Sequence, residues 1–314
     1  MTNQLILINQ TEIQKMNNLE DYAISFIEYL DSTTKTIESY RKNLKQFFIY
    51  LREMQIYNPK REDLIQYRKH LENAGYKATT IQAYINTIKQ FFKWTAYQNY
   101  YDDIASDIKN EKVKNIHRKD SLSKAQFKEL INLYIGKEDI ESLRNLSIIL
   151  LEGVCGLRGI EVERSNIEDL KNIAGTSVLM IQGKGQQEKN DFVKLPEFVE
   201  KTIRKYISLR ESKKPSEALF VSLSDRNFNE RLTTRSLSRI VKESMKEIGL
   251  DDERLTAHSL RHSTAMTLIS CGATIQEVQS TLRHADIRTT MIYLDEMNKL
   301  ESNSTNKIMN AYFE

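Results

Sequence analysis

Between Thr256 and Ala265 the chain reads "TAHSLRHSTA", which puts His258, Arg261 and His262 within five positions. On a helix, residues three and four apart share a face, so His258 lies beside both Arg261 and His262. A guanidinium is permanently charged and grips anionic oxygens bidentately, while an imidazole changes charge near neutrality. Such a face can hold an oxyanion and handle a proton beside it. Three further polar islands lie in the same half: "GLRGIE" with Arg158, "GKGQQEK" with Lys184, and "LRHADIRTTMIYLD" with His284 and Tyr293. Singly, each has an ordinary explanation. An arginine after a helix forms a surface ion pair, a lysine between glycines tips a turn, and one tyrosine among fifteen is unremarkable. Their order and spacing together are less ordinary.

The elements that must position these groups follow from periodicity. "LSKAQFKELINLY" and "IESLRNLSIILLEGVCG" read as helices leading to Arg158. "SVLMIQG" and "DFVKLPE" are short β-rich runs that read as a hairpin around Lys184. Helices are predicted over Glu197–Glu211 and Thr233–Ile248, over "AHSLRHSTAMTLISCG" up to Gly272, and over "TIQEVQSTLRH". His284 and Tyr293 are nine residues apart, two and a half helical turns, so one unbroken helix would point them in opposite directions. Ala285-Asp286 is the expected break, with Asp286 capping a helix that starts at Ile287 and carries Tyr293 in its second turn.

Upstream, four amphipathic helices run from Leu19 to Gln98. Thr33 or Thr34 caps the second, Pro59 opens the third, and Gly75 closes it. Their aromatic stripe, with Phe26, Phe47, Phe48, Phe91 and Phe92, reads as a bundle core rather than a base-stacking platform. "YYDDIASDIKNEKVKNIHRKDSLS" then loses apolar periodicity and gains charge, as a linker does. The expected boundaries are an extension over 1–18, a bundle over 19–100, a linker over 101–121, a second domain over 122–300 and a tail over 301–314.

With 314 residues, 40% of them hydrophobic and 28% charged, the chain has room for two ordinary domains. Three prolines and ten glycines suit a mainly helical protein. No apolar run approaches the roughly 20 residues of a membrane span, and the first residues lack the pattern of a signal peptide. Cys155 and Cys271 suggest no disulfide framework, so a reducing cytoplasm is expected and both are read as small packing residues. Net charge is +3, yet Thr33–Gln98 alone holds twelve Lys and Arg against five Asp and Glu, a surplus of seven. A basic block on a near-neutral body points to a polyanion, although a solvated helix face would look similar.

Arg158 with Glu161, Lys184 in a hairpin, His258-Ser-Leu-Arg261, His284, and Tyr293 nine residues on follow one another in the order of the tyrosine recombinase and integrase family, which the chain resembles over nearly its whole length. The resemblance implies a fold that is mainly α with a small β-sheet. A helical core-binding domain of SAM-like form and an α+β catalytic domain would close on DNA as a C-shaped clamp. It also implies a chemistry. Two arginines, Arg158 and Arg261, clamp the scissile phosphate, and Tyr293 attacks it to form a 3′-phosphotyrosyl link. His258 is the candidate to take the phenolic proton, His284 binds the phosphate or fixes geometry, Lys184 protonates the departing 5′ oxygen, and Glu161 supports. His262 is read as structural. No metal, cofactor or ATP is expected.

The resemblance further implies a homotetramer that recombines inverted-repeat core sites on double-stranded DNA through a Holliday junction, serving a mobile element or dimer resolution, with or without an accessory protein. The chain is more similar to Xer-type enzymes and simple mobile-element integrases than to those with a separate arm-binding domain. It would work in the cytoplasm at the nucleoid, away from membranes. Ile308, Met309, Tyr312 and Phe313 make the tail apolar enough to dock on a neighbouring protomer. DNA contacts are expected from Arg41, Lys42, Lys45, Lys77, Lys89, Lys93, Arg235, Arg239 and Arg283. Arg283 stands where the family commonly has glycine. A type IB topoisomerase and an inactive DNA-binding relative are the competing readings.

Overall fold

The computed structural model describes residues 18–109, 121–183, 186, 188–301 and 304–313. The chain divides into two compact units, Met1–Asn115 and Ile116–Glu314.

The first unit is a bundle of α1 (18–29), α2 (Thr34–Glu53), α3 (Arg61–Asn73) and α4 (Ala78–Tyr97). Thr33 caps α2 by accepting from the Thr36 amide. Gly75, at φ +77°, takes the left-handed turn that ends α3. Phe47, Phe91, Phe92 and Tyr67 are fully buried, and rings such as Phe47 and Phe92 meet edge to face at 6.2 Å. The aromatic stripe is therefore the core. Residues 101–109 differ from the linker expected there. Ala105 and Ile108 are buried in the bundle core, and the Tyr101 hydroxyl donates to the Pro59 carbonyl. Polar spacing hid two anchoring residues that a purely periodic reading passes over.

The second unit is built around α6 (Ile140–Gly153), which is buried from Ser142 to Gly153. Around it lie α5 (Lys124–Asn132), α7 (Gly159–Arg164), α8 (Glu197–Ser208), α9 (Thr234–Glu247) and α10 (Ala257–Ser270). Ser123, Asp139 and Thr233 cap three of these helices with side-chain oxygens. A three-stranded antiparallel sheet runs β1 (Leu170–Ile173), β2 (Thr176–Ile181), β3 (Asp191–Lys194), with Met180 opposite Phe192. The β2–β3 hairpin is the expected one. β1 is additional, joined to β2 through Ala174 and Gly175, both at positive φ. An alanine in that turn gave no signal.

The chain then continues through α11 (Ile275–Leu282), α12 (Arg288–Glu301) and α13 (Ser304–Phe313). On α13 the side chains of Ile308, Met309, Tyr312 and Phe313 are all exposed. Among the described residues no helix is long and apolar enough to cross a membrane. Cys155 is buried and pushed up to about 12 by that burial, but Cys271 is exposed, so only the first packs as expected.

Candidate active site

The candidate site lies where four segments meet. α6 is followed by a turn in which Gly156, at φ +63°, lets the backbone reverse. Arg158 then stands as the N-cap of α7, with its backbone amide and guanidinium both donating to Glu161 at 2.9 and 2.7 Å. Arg261, one turn into α10, is 1% exposed and donates to the carbonyls of Gly156 and Leu282. One guanidinium thereby fastens the turn before Arg158 to the end of α11.

After Leu282 the chain breaks as expected. Arg283 takes a left-handed conformation at φ 52° and ψ 50°, and α12 begins at Arg288. Asp286 accepts from the Arg288 amide at 2.9 Å, one residue further from the helix start than predicted. The break turns the His284 and Tyr293 rings toward each other, 6.3 Å apart and nearly parallel. His284 Nδ1 pairs with the Thr290 hydroxyl at 2.9 Å. Tyr293 is 3% exposed, packed with Ala265, Val278 and Leu282. Its hydroxyl is 2.7 Å from His262 Nδ1.

A left-handed residue is required at position 283, a conformation glycine takes without strain and arginine at a cost of about 1–2 kcal/mol. Its side chain does not extend outward, as a DNA contact would. It donates to Glu161 at 2.8 Å, to the Gly156 carbonyl and to the Thr281 carbonyl. Its own carbonyl accepts from Arg158. Glu161, 1% exposed, thus serves two arginines.

The electrostatics follow from this packing. Burial opposes ionisation of Glu161, but the charge of Arg283 and the hydrogen bonds and charge of Arg158 outweigh it and hold the carboxyl below its usual value. Burial and the neighbouring Arg158 push Arg261 down to about 9, so it remains a cation at neutral pH. Burial, with Arg261 and Arg158, drives His284 down to about 4, leaving a neutral imidazole. The centre thus gathers three guanidiniums around the buried carboxylate of Glu161. A cavity of about 450 Å³ opens on Arg158, Glu161, Gly183, Arg283 and His284.

Of the expected catalytic residues, Arg158, Arg261, His284 and Tyr293 come together here, with Glu161 beneath them. His258 is exposed on the first turn of α10, its ring 4.7 Å from that of His262. Lys184 lies outside the described residues, between Ile181 of β2 and Asp191 of β3, which are paired. His262, read as structural, is the residue that contacts the phenol. Its position four after His258 was visible, but nothing in the sequence pointed it at Tyr293.

Among the expected DNA contacts, Arg41, Lys42 and Lys45 are exposed on α2, Lys77 precedes α4, and Lys89 and Lys93 lie along it, Lys89 half-buried. Arg235 and Arg239 are exposed on α9, beside Thr256 at the start of α10. Arg231, in the same four-residue series, is committed to the Glu163 and Ser165 carbonyls and Asn166.

A mainly helical fold thus brings two arginines bound to Glu161 and to backbone carbonyls, a histidine pair and a buried tyrosine into one region. Residues 120–299 match the Phage integrase family, and residues 23–99 match its N-terminal SAM-like domain. The tyrosine recombinase XerA of Pyrococcus furiosus is 30% identical over 275 residues, covering 88% of each chain. XerA of Pyrococcus horikoshii is 28% identical over 282 residues, covering 90% of each. A structure of XerH recombinase bound to palindromic difH in a post-cleavage complex covers 89% of this chain and 80% of that one, at 21% identity and a TM-score of 0.69. A lambda integrase tetramer on a Holliday junction covers 88% and 76%, at 15% identity and a TM-score of 0.65. The chain belongs to the phage integrase family of tyrosine recombinases, and it is a site-specific DNA recombinase.

Proposed function

We propose that this recombinase cuts one DNA strand at a time by attack of Tyr293 on a phosphate held by Arg158 and Arg261. One observation carries the reading. The chain break at Arg283–Ile287 brings His284 and Tyr293 face to face beside the buried Arg261. The pentavalent transition state gathers charge on its non-bridging oxygens, and preorganised guanidiniums are worth most against charge that develops in a water-poor site. His284, neutral and fixed by Thr290, donates to or orients the phosphate, and His258 stands at its rim. Lys184 protonates the 5′ oxygen as it leaves. Glu161 keeps Arg158 in register. The phosphotyrosyl bond conserves the energy for rejoining, which is why ATP is dispensable.

The rest of the reading concerns the DNA. The bundle and the catalytic unit both bind DNA, with Arg41, Lys42, Lys45, Lys77, Lys89, Lys93, Arg235 and Arg239 on phosphates. Four protomers recombine two inverted-repeat core sites through a Holliday junction, in the cytoplasm at the nucleoid, with an accessory protein where the site requires one. The exposed apolar side chains of α13 support docking of this tail on a neighbouring protomer, because an apolar helix face gains by burial.

A plasmid carrying two candidate sites from DNA flanking the gene tests the whole. Wild type is expected to delete or invert the intervening segment without metal or ATP. Relaxation of supercoils with no exchange would instead favour a topoisomerase. Removal of Lys307–Glu314 is expected to preserve binding to one site and to abolish synapsis of two, and unchanged synapsis would count against docking in trans.

A further inference from the structure

We propose that His262 is a catalytic residue of this recombinase, accepting the phenolic proton of Tyr293 as the tyrosine attacks and returning it when the strand is rejoined. The proposal rests on the reading of Tyr293 as nucleophile.

The geometry is specific. His262 Nδ1 lies 2.7 Å from the Tyr293 hydroxyl, and both side chains are buried, at 6% and 3% exposure. The two ring centroids are 5.3 Å apart. His262 directly follows Arg261 on α10, so one rigid turn of helix sets both the buried guanidinium and the imidazole that meets the Tyr293 hydroxyl. Around the phenol lie Ala265, Val278 and Leu282, an apolar wall that strengthens a hydrogen bond and penalises a bare phenolate. A phenol ordinarily ionises near pH 10 and an imidazole near 6.5, so the proton does not transfer at rest; it transfers as the O–P bond forms, which is general-base catalysis.

The step balances. The Tyr293 oxygen bonds to phosphorus and its proton goes to Nδ1, giving an imidazolium. The bond from phosphorus to the 5′ oxygen breaks, and that oxygen takes its proton from Lys184. In rejoining, the incoming 5′ hydroxyl attacks the phosphotyrosine and passes its proton to the now neutral Lys184, the bond from phosphorus to the Tyr293 oxygen breaks, and His262 gives its proton back to that oxygen. For Nδ1 to accept, His262 must carry its own proton on Nε2. His258, whose ring edge lies against that of His262, stands on the same helix face one turn earlier. It is placed toward solvent, while His262 is placed on the phenol.

The test uses His262→Asn, whose amide oxygen can overlay Nδ1 and keep the hydrogen bond but cannot take a proton. The readout is the rate of covalent complex formation on a nicked duplex carrying the recombination site. The expected result is unchanged melting and DNA affinity with a rate lowered about 100-fold or more. The second arm replaces Tyr293 in the same variant with difluorotyrosine, whose phenol ionises near neutrality. Its rate is expected to recover to within about tenfold of wild type, because an ionised phenol has no proton to give up. A merely structural role would leave the loss in place. A wild-type rate in His262→Asn, or a loss that persists with difluorotyrosine, would overturn the proposal. If wild type itself forms no covalent complex with its site, Tyr293 falls as nucleophile and His262 with it.

Discussion

Inside the helical bundle the buried polar side chains among the described residues are Asn43, Thr87, Thr95 and the tyrosines Tyr50, Tyr67 and Tyr84, none of them charged at neutral pH. Inside the catalytic unit they include Arg144, Glu152, Glu161, Asp169, Arg210, Arg261 and His262. Both units have a continuous apolar core, so the difference is not one of size. The bundle is filled mainly by aromatic rings whose apolar surface gains from burial. The catalytic unit holds charges out of water at a cost that packing elsewhere must offset. The field of such charges is useful against developing charge only if its dipoles are in place beforehand, and here hydrogen bonds to Glu161 and to the Gly156 and Leu282 carbonyls hold them there.

Breaking one side chain on each side of this comparison gives the largest effects. Arg261→Met is expected to slow covalent complex formation by about 10³-fold or more, the scale of losing one preorganised donor. Its stability should stay within about 2 kcal/mol of wild type, because the relief of a buried guanidinium offsets carbonyls left without a donor. Phe91→Ala should do the reverse, costing about 3–5 kcal/mol of stability in the bundle with no change in the chemical step of the folded protein. Denaturant melts and single-turnover cleavage, run on both variants, check the pair.

A second prediction concerns Glu152, on α6 and 2% exposed, with neither carboxyl oxygen hydrogen-bonded among the described residues. Burial raises it to about 8 from an ordinary 4.5. Between those values the unfolded chain is ionised while the folded one keeps its proton. Stability is therefore fully present below about pH 4.5 and drains away as pH rises toward 8, at up to about 1.4 kcal/mol per unit. Glu152→Gln is expected to flatten that slope and to be the more stable protein at pH 7.5, by melts across the range. Equal slopes would remove the buried carboxyl from the account.

Smaller effects sharpen the same contrast. Arg283→Gly relaxes a left-handed residue by about 1–2 kcal/mol but removes one of the two guanidiniums on Glu161. Since Arg158 remains, cleavage should fall no more than about tenfold while the melting temperature holds or rises. On the bundle surface, Lys42→Ala with Lys45→Ala should reduce the log–log salt slope of DNA binding by about 0.9 for each phosphate that is no longer neutralised. Cleavage at saturating protein should be unchanged, as expected of residues that position rather than react.

The order Arg158, Lys184, His258, Arg261, His284 and Tyr293 could be read because motif spacing is a sequence property, and the structure brings Arg158, Arg261, His284 and Tyr293 into one region. The bundle was legible because 3.6-residue periodicity is a sequence property too. The break before Tyr293 was legible too, since a nine-residue interval cannot converge on a straight helix. The hidden features are those decided by tertiary packing. Arg283 looked like a cation for DNA, but a buried carboxylate 122 residues away takes its guanidinium. Ala105 and Ile108 sit in a charged stretch, where two apolar residues on no regular period give no sign of burial. β1 hung on a turn starting with alanine. His262 showed its helix face but not the ring from another helix that would meet it.

The most direct measurement is mass spectrometric mapping of the covalent complex trapped on a nicked site without added metal. The account predicts a peptide carrying a 3′-linked nucleotide on Tyr293, absent from Tyr293→Phe. A nucleotide on another side chain, or a trapped complex that survives Tyr293→Phe, would contradict it.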